Sequence, residues 1–246
     1  MKKLICIILS ALLLFGGTCV YAESSAFEKA LFKLSALDIL PAGTAPDAAV
    51  TRAEAATAMV KLMMNDVAWS GEDTGFTDVK SFDEFAGYVH YAKAMGIVAG
   101  NGNGTFRPFD AVTINELIKM SVCLLGYGVT AEAEGGYPAG YLSLALRLNL
   151  FKNVGSAEDG SITAADFVFL LNNLLQAYPL EATYGADEYK KSEQTLNEIL
   201  LERKKTKTVK GLVTAVGKAV LKGRQEARED EIAIDGVRYQ YDGGDN

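Results

Sequence analysis

The chain has 246 residues, 49% of them hydrophobic and 22% charged, which is the balance of a folded protein with a sizeable core and not of a disordered one. Its formal charge is −7 and becomes more negative once Lys2 and Lys3 are set aside. It therefore lacks the basic footprint that a nucleic-acid partner requires.

Residues 1–22 read as an export signal: Lys2-Lys3, an apolar run from Leu4 to Phe15, then small residues ending at Ala22 before polar Glu23. A lipoprotein reading through Cys19 is weaker, because Thr18 directly precedes the cysteine and Gly16 stands where a large aliphatic is usual. The apolar run is also short for a retained anchor. Cys6 and Cys19 leave with the signal, so Cys123 is alone in the mature chain and no internal disulfide can form. Its neighbours Val122 and Leu124 make it a small core hydrophobe.

From Ala26 to Leu40, Phe27, Leu31 and Leu34 recur at helical spacing, and Pro41-Ala42-Gly43 ends the helix. Val50-Thr51-Arg52-Ala53-Glu54 follows. Thr51 can accept from the Glu54 N–H while the Glu54 carboxylate reaches back to the Thr51 N–H, which is a capping box. Ala56, Met59, Val60 and Met63 mark the buried stripe of the helix it opens. Two further boxes stand at Thr113-Ile114-Asn115-Glu116 and Thr163-Ala164-Ala165-Asp166, so the chain reads as a threefold repeat of helix, loop and helix.

Met64 to Gly75, with the single tryptophan Trp69, reads as a linker. Phe82, Phe85, Ala86, Val89, Ala92 and Met95 form the apolar stripe expected of the second unit's first helix. The sole histidine, His90, lies on it and has no second histidine with which to build a metal site or triad. Gly100-Asn101-Gly102-Asn103-Gly104 lacks the Lys-Ser/Thr of a phosphate loop and the acidic ladder of a calcium loop, which leaves a tight turn. The third unit has Tyr141, Leu144 and Leu148 on its first helix and Phe167, Leu170, Leu171 and Leu174 on its second. Ala186 to Lys205 is charged and helical in character. Beyond Thr208 the period changes to alternation, with Val209, Gly211 and Val213 and then Ile232 to Tyr239 as strands and Asp235-Gly236 as a hairpin turn. About three strands do not make an independent barrel. Either they pair with something else, or the β-domain is incomplete.

Phe76-Thr77-Asp78-Val79, a helix, Gly96-Ile97-Val98-Ala99-Gly100, Gly104-Thr105-Phe106-Arg107-Pro108 and Val112-Thr113-x-x-Glu116 together resemble the S-layer homology (SLH) repeat, as does Val50-Thr51-Arg52-Ala53-Glu54. The resemblance covers roughly 26–179 and is looser in the third unit. It implies a mostly α fold of three helix-loop-helix repeats in a pseudo-threefold arrangement, followed by a charged helix and a short β-segment. The expected organisation is a signal peptide at 1–22 and a repeat domain at 23–180, with repeats at about 26–64, 76–128 and 135–179. A helical connector at 181–207 and a β-segment at 208–246 complete it.

The resemblance also implies a protein exported to the cell wall or surface and held non-covalently to secondary cell-wall polymer, a peptidoglycan-linked glycan whose pyruvylated sugar is anionic. An arginine in the first turn of a helix suits an anion, since a planar bidentate donor is added to free N–H groups and the positive dipole end. Only the first unit has one. The equivalent positions are Ile114 and Ala164, and the aromatic usually found as tryptophan in the first helix is Phe85. Arg52 is therefore the expected glycan-binding residue, while Thr51, Glu54, Thr113, Glu116, Thr163 and Asp166 are expected to cap helices. The alternative is a degenerate scaffold that assembles through its C-terminal strands without binding glycan. No catalytic residue, cofactor or metal site is expected, because the recurring glutamates are accounted for by capping and no nucleophile elbow, metal quartet or nucleotide fingerprint appears.

Overall fold

A computed structural model describes residues 25–63, 67, 69, 71–155, 160–182, 189–205, 213–216, 219–220, 231–235 and 237–240. The expected signal peptide, the Val209 to Gly211 segment and Gly236 lie outside these residues. The chain divides into two compact units between Asn197 and Glu198, and each is described by itself.

In the first unit α1 spans Ala26–Ala36, opened by a capping box in which Ser25 Oγ accepts from the Glu28 N–H at 3.1 Å and Glu28 accepts from the Ser25 N–H at 2.7 Å. It buries Ala30, Leu31 and Leu34. The next helix, α2, spans Arg52–Met63 and is buried on most of its circumference, with Ala53, Ala55, Ala56 and Ala58 letting neighbours approach closely. There follow α3 (Ala86–Ala94), α4 (Ile114–Leu124), α5 (Gly128–Ala133), α6 (Ala139–Arg147) and α7 (Ala164–Leu174).

The helices pack in a cycle. α3 lies on α2, α6 on α4 and α1 on α7, so the first helix of each unit covers the capped helix of the unit before it. The loops ahead of the capped helices pair in the same cyclic sense, with bridges Thr51 to Ala111, Thr113 to Ser161 and Ala49 to Thr163. Their backbone donors follow suit: Arg52 N–H to Asp110 O at 2.9 Å, Ile114 N–H to Gly160 O at 2.9 Å, and Ala164 N–H to Ala48 O at 2.8 Å. A pseudo-threefold ring results.

Several expectations change. Phe82 is 84% exposed and off the helix, because the Asp83 carboxylate accepts from the Lys80 N–H and holds a turn that delays α3 to Ala86. Met95 follows that helix and is also exposed. The Ala186 to Lys205 stretch is not continuously helical: β2 (Tyr189–Lys191) pairs antiparallel with β1 (Leu180–Ala182), and only Leu196–Arg203 forms a helix, α8. Trp69 is a packed residue, its Nε1 donating to Ser81 O at 2.8 Å and its ring lying against Gly87 and His90. Gly140, which occupies in α6 the place Gly87 has in α3, could carry no side chain, since a Cβ would fall 2.1 Å from Ala131 O.

The second unit holds β3 (Val213–Val216), β4 (Ala219–Val220), β5 (Glu231–Ile234) and β6 (Val237–Gln240) in an antiparallel sheet of order β4-β3-β5-β6. Register places Ile234 opposite Val237, and Asp235 between them is left-handed at φ 50°. Among the described residues no helix is long and apolar enough to cross a membrane.

Candidate functional site

Thr51 and Glu54 make their box at the start of α2: Thr51 N–H donates to Glu54 Oε2 at 2.7 Å, and Glu54 N–H donates to Thr51 Oγ1 at 3.2 Å. Thr113 with Glu116 and Thr163 with Asp166 do the same at α4 and α7. The helix start at Arg52 is nevertheless not an array of free donors. The N–H groups of Arg52 and Ala53 are bonded to Asp110 O and Pro108 O, both at 2.9 Å. The expectation of open amides for an anion is thereby overturned, because ring closure uses them.

The Arg52 side chain is buried at 5% exposure. Its Nη1 lies 2.6 Å from Glu116 Oε1, its Nε donates to Phe106 O at 2.8 Å, and its guanidinium stands 4.9 Å from the centre of the Phe106 ring. Burial lowers its pKa, which the Glu116 charge opposes; an arginine stays protonated regardless. Glu116 thus has two tasks that the sequence separates poorly. Oε2 caps α4 through the Thr113 N–H, and Oε1 holds both Arg52 and Arg107 Nη2, the latter at 3.2 Å.

Around this pair is a groove of ≈ 230 Å³ whose lining includes Arg107, Lys119, Gly100, Asn101 and Tyr137. Three cations and one carboxylate face it, so its balance is positive although the chain is acidic. Arg107 is left-handed at φ 61°, uncommon for a side chain of its size. Asp78 holds that conformation by accepting from the N–H groups of Phe106 at 2.8 Å and Arg107 at 2.7 Å. Burial pushes the Asp78 carboxyl up, and those two donors together pull it further down, to a net value below the usual carboxylate range. Gly100 approaches so closely that a Cβ would meet the Phe76 ring and Thr105 O, both at 2.9 Å.

Sequence reasoning singled out Arg52 here and missed Arg107, Lys119, Tyr137 and Asp78. Lys119 was legible as the residue three after Glu116, on the same helix face. Tyr137 carries no local signal, because it comes from the following unit. Cys123 is half-buried, with burial raising its thiol pKa, as suits an unreactive cysteine. His90 packs on Trp69 and lies 3.3 Å from Asp73 O through Nδ1. Among the described residues no group of three or more His, Cys, Asp or Glu could hold a metal ion.

A model of the S-layer homology domain matches residues 75–113, the segment that supplies Asp78, Gly100, Phe106 and Arg107 to this groove. Residues 75–113 are thus an S-layer homology domain. The chain is 31% identical over 169 residues to a surface layer protein of Brevibacillus choshinensis, covering 66% of this chain and 15% of that protein. Similarity to a middle cell wall protein of Brevibacillus brevis is 32% over 144 residues, covering 57% and 13% respectively. An amylopullulanase of Thermoanaerobacterium thermosulfurigenes is 39% identical over 79 residues, which cover 31% of this chain and 4% of the enzyme. The chain therefore spans only a small part of the relatives it matches. Family and relatives together indicate a location at the cell surface or cell wall.

Proposed function

We propose that this SLH protein is a non-catalytic anchoring module that binds an anionic secondary cell-wall polymer, a pyruvylated glycan, through the groove around Arg52. The observation that supports it most is the convergence of Arg52, Arg107 and Lys119 on one small groove in an otherwise acidic chain. Arg52 is the floor of that groove. Its Nη1 and Nε are committed to Glu116 and Phe106, while Nη2 has no protein partner among the described residues. Arg107 and Lys119 are the more accessible cations, and Tyr137 offers a ring face to a sugar. A carboxylate ligand gains charge-assisted hydrogen bonds of this kind at about twice the strength of neutral ones.

Sedimentation with purified wall sacculi tests it. Arg52→Ala and Lys119→Ala each weaken binding by about tenfold, the equivalent of one lost charge-assisted contact. Unchanged binding by folded Arg52→Ala protein would remove the assigned site.

The replacement of the arginine by Ile114 and Ala164 at the two other ring positions favours a second reading, a scaffold that assembles without glycan. Light scattering after size exclusion separates the two, since a strict monomer that binds sacculi tightly is incompatible with the scaffold.

A further inference from the structure

The pseudo-threefold ring builds a second groove at Ala164 that is related to the Arg52 groove and differs from it in chemistry. Ala164 donates its N–H to Ala48 O as Arg52 donates to Asp110 O, and the carboxylate standing where Glu116 stands is Glu54. The groove encloses ≈ 770 Å³, against ≈ 230 Å³ at Arg52, and falls within the range of small-molecule sites. Arginine has become alanine, and Thr57 takes the place of Lys119. Glu54 uses Oε2 for Thr51, while Oε1 has no partner among the described residues. Glu84 lines the same groove and is in no ion pair among them. The one lysine lining it, Lys61, lies 3.5 Å from Asp38 and 5.9 Å from the centre of the Tyr88 ring, so the two glutamates still outnumber it.

Facing these carboxylates is an aromatic wall. Phe109 is 74% exposed and meets Phe85 edge-on with ring centres 5.6 Å apart, and Tyr88 continues the surface. An exposed aromatic face beside two exposed carboxylates and a single lysine suits a cation carried on an apolar frame. The carboxylates repel an anion. The cell-wall location supplies glycan as the frame.

We infer that the Ala164 groove binds an amino sugar bearing a free, protonated amine, with the ammonium donating to Glu54 Oε1 and the apolar face of the ring on Phe109 and Phe85. This site is independent of the polymer assigned to Arg52.

Titration of the isotopically labelled full chain with glucosamine trimer, and separately with its fully N-acetylated counterpart, tests the inference by amide NMR at mildly acidic pH. The free-amine trimer shifts resonances of Glu54, Tyr88, Phe109 and Ala164 saturably, and the acetylated trimer binds at least about tenfold more weakly, one lost charge-assisted bond. Glu54→Gln preserves the capping box, because glutamine also serves at that position, and loses about tenfold in affinity. Ala164→Arg abolishes binding by pairing with Glu54, while Arg52→Ala leaves it unchanged. Equal affinity for the acetylated trimer, wild-type affinity in Glu54→Gln, shifts centred on Arg107 and Lys119, or no binding at all would each overturn the inference.

Discussion

A single carboxylate decides how Arg52 is presented. Glu116 and Glu54 occupy equivalent places and cap their helices in the same way, yet only Glu116 also holds a buried guanidinium. The same substitution therefore has unequal consequences. Glu116→Gln keeps its box and leaves Arg52 without a counter-charge, costing about 2 kcal/mol, below the 3–5 of a fully buried pair because Glu116 is partly exposed. Glu54→Gln costs close to nothing. Thermal unfolding of the two variants checks the contrast, with a lower midpoint for the first by roughly 4–8 °C. Asp78 gives a pH signature. Its folded pKa is depressed, so its contribution is present above the unfolded carboxyl range and lost as pH falls through the folded value. Asp78→Asn destabilises by about 1–3 kcal/mol at neutral pH. Its stability also falls less steeply than that of the native chain on acidification, as denaturant melts at pH 7 and pH 3 would show.

At the scale of elements, the capping boxes place the helices. Thr113→Ala removes the hydroxyl that accepts from the Glu116 N–H and is expected to cost about 1 kcal/mol. It also loosens the Glu116 carboxylate, which Thr113 helps orient at 3.1 Å through Oγ1. Sacculus binding should consequently fall further than a substitution at least as destabilising elsewhere on α4, such as Val122→Ala at a fully buried position, would bring about. The boxes at 51, 113 and 163 were legible because a Thr-x-x-Glu/Asp pattern precedes each apolar run. A fourth box, Ser25-Ala26-Phe27-Glu28, has the same form but abuts the expected signal peptide, whose polar boundary masks it. The β1 to β2 pairing was illegible for a different reason. Glu181, Lys190 and Lys191 are polar and exposed on both strands, so no alternation distinguishes three-residue strands from a solvated helix.

For the whole molecule, the ring makes a proline at a first helical position harmful where it is ordinarily tolerated. Proline at that position normally lacks only an orphan donor, and the extended Thr113 before it is compatible with proline. Here the Ile114 N–H joins one unit to the next through Gly160 O. Ile114→Pro is expected to be about 1 kcal/mol less stable than Ile114→Ala, measured by denaturant unfolding. Equal stabilities would mean that the bridge between these units contributes nothing.

Local chemistry in the sequence determined the capped helices, their buried stripes and the singular arginine at position 52, because each depends on residues within a few positions of one another. What the arginine faces was settled only by tertiary structure. Phe106, Glu116 and Tyr137 reach Arg52 from two other units, and the bonds to Asp110 and Pro108 that close the ring remove the open amides that a lone helix start would offer. The same closure sets Glu54 beside Ala164. No sequence interval relates those two residues; the ring brings them together because each unit completes its helix start with the loop of the next.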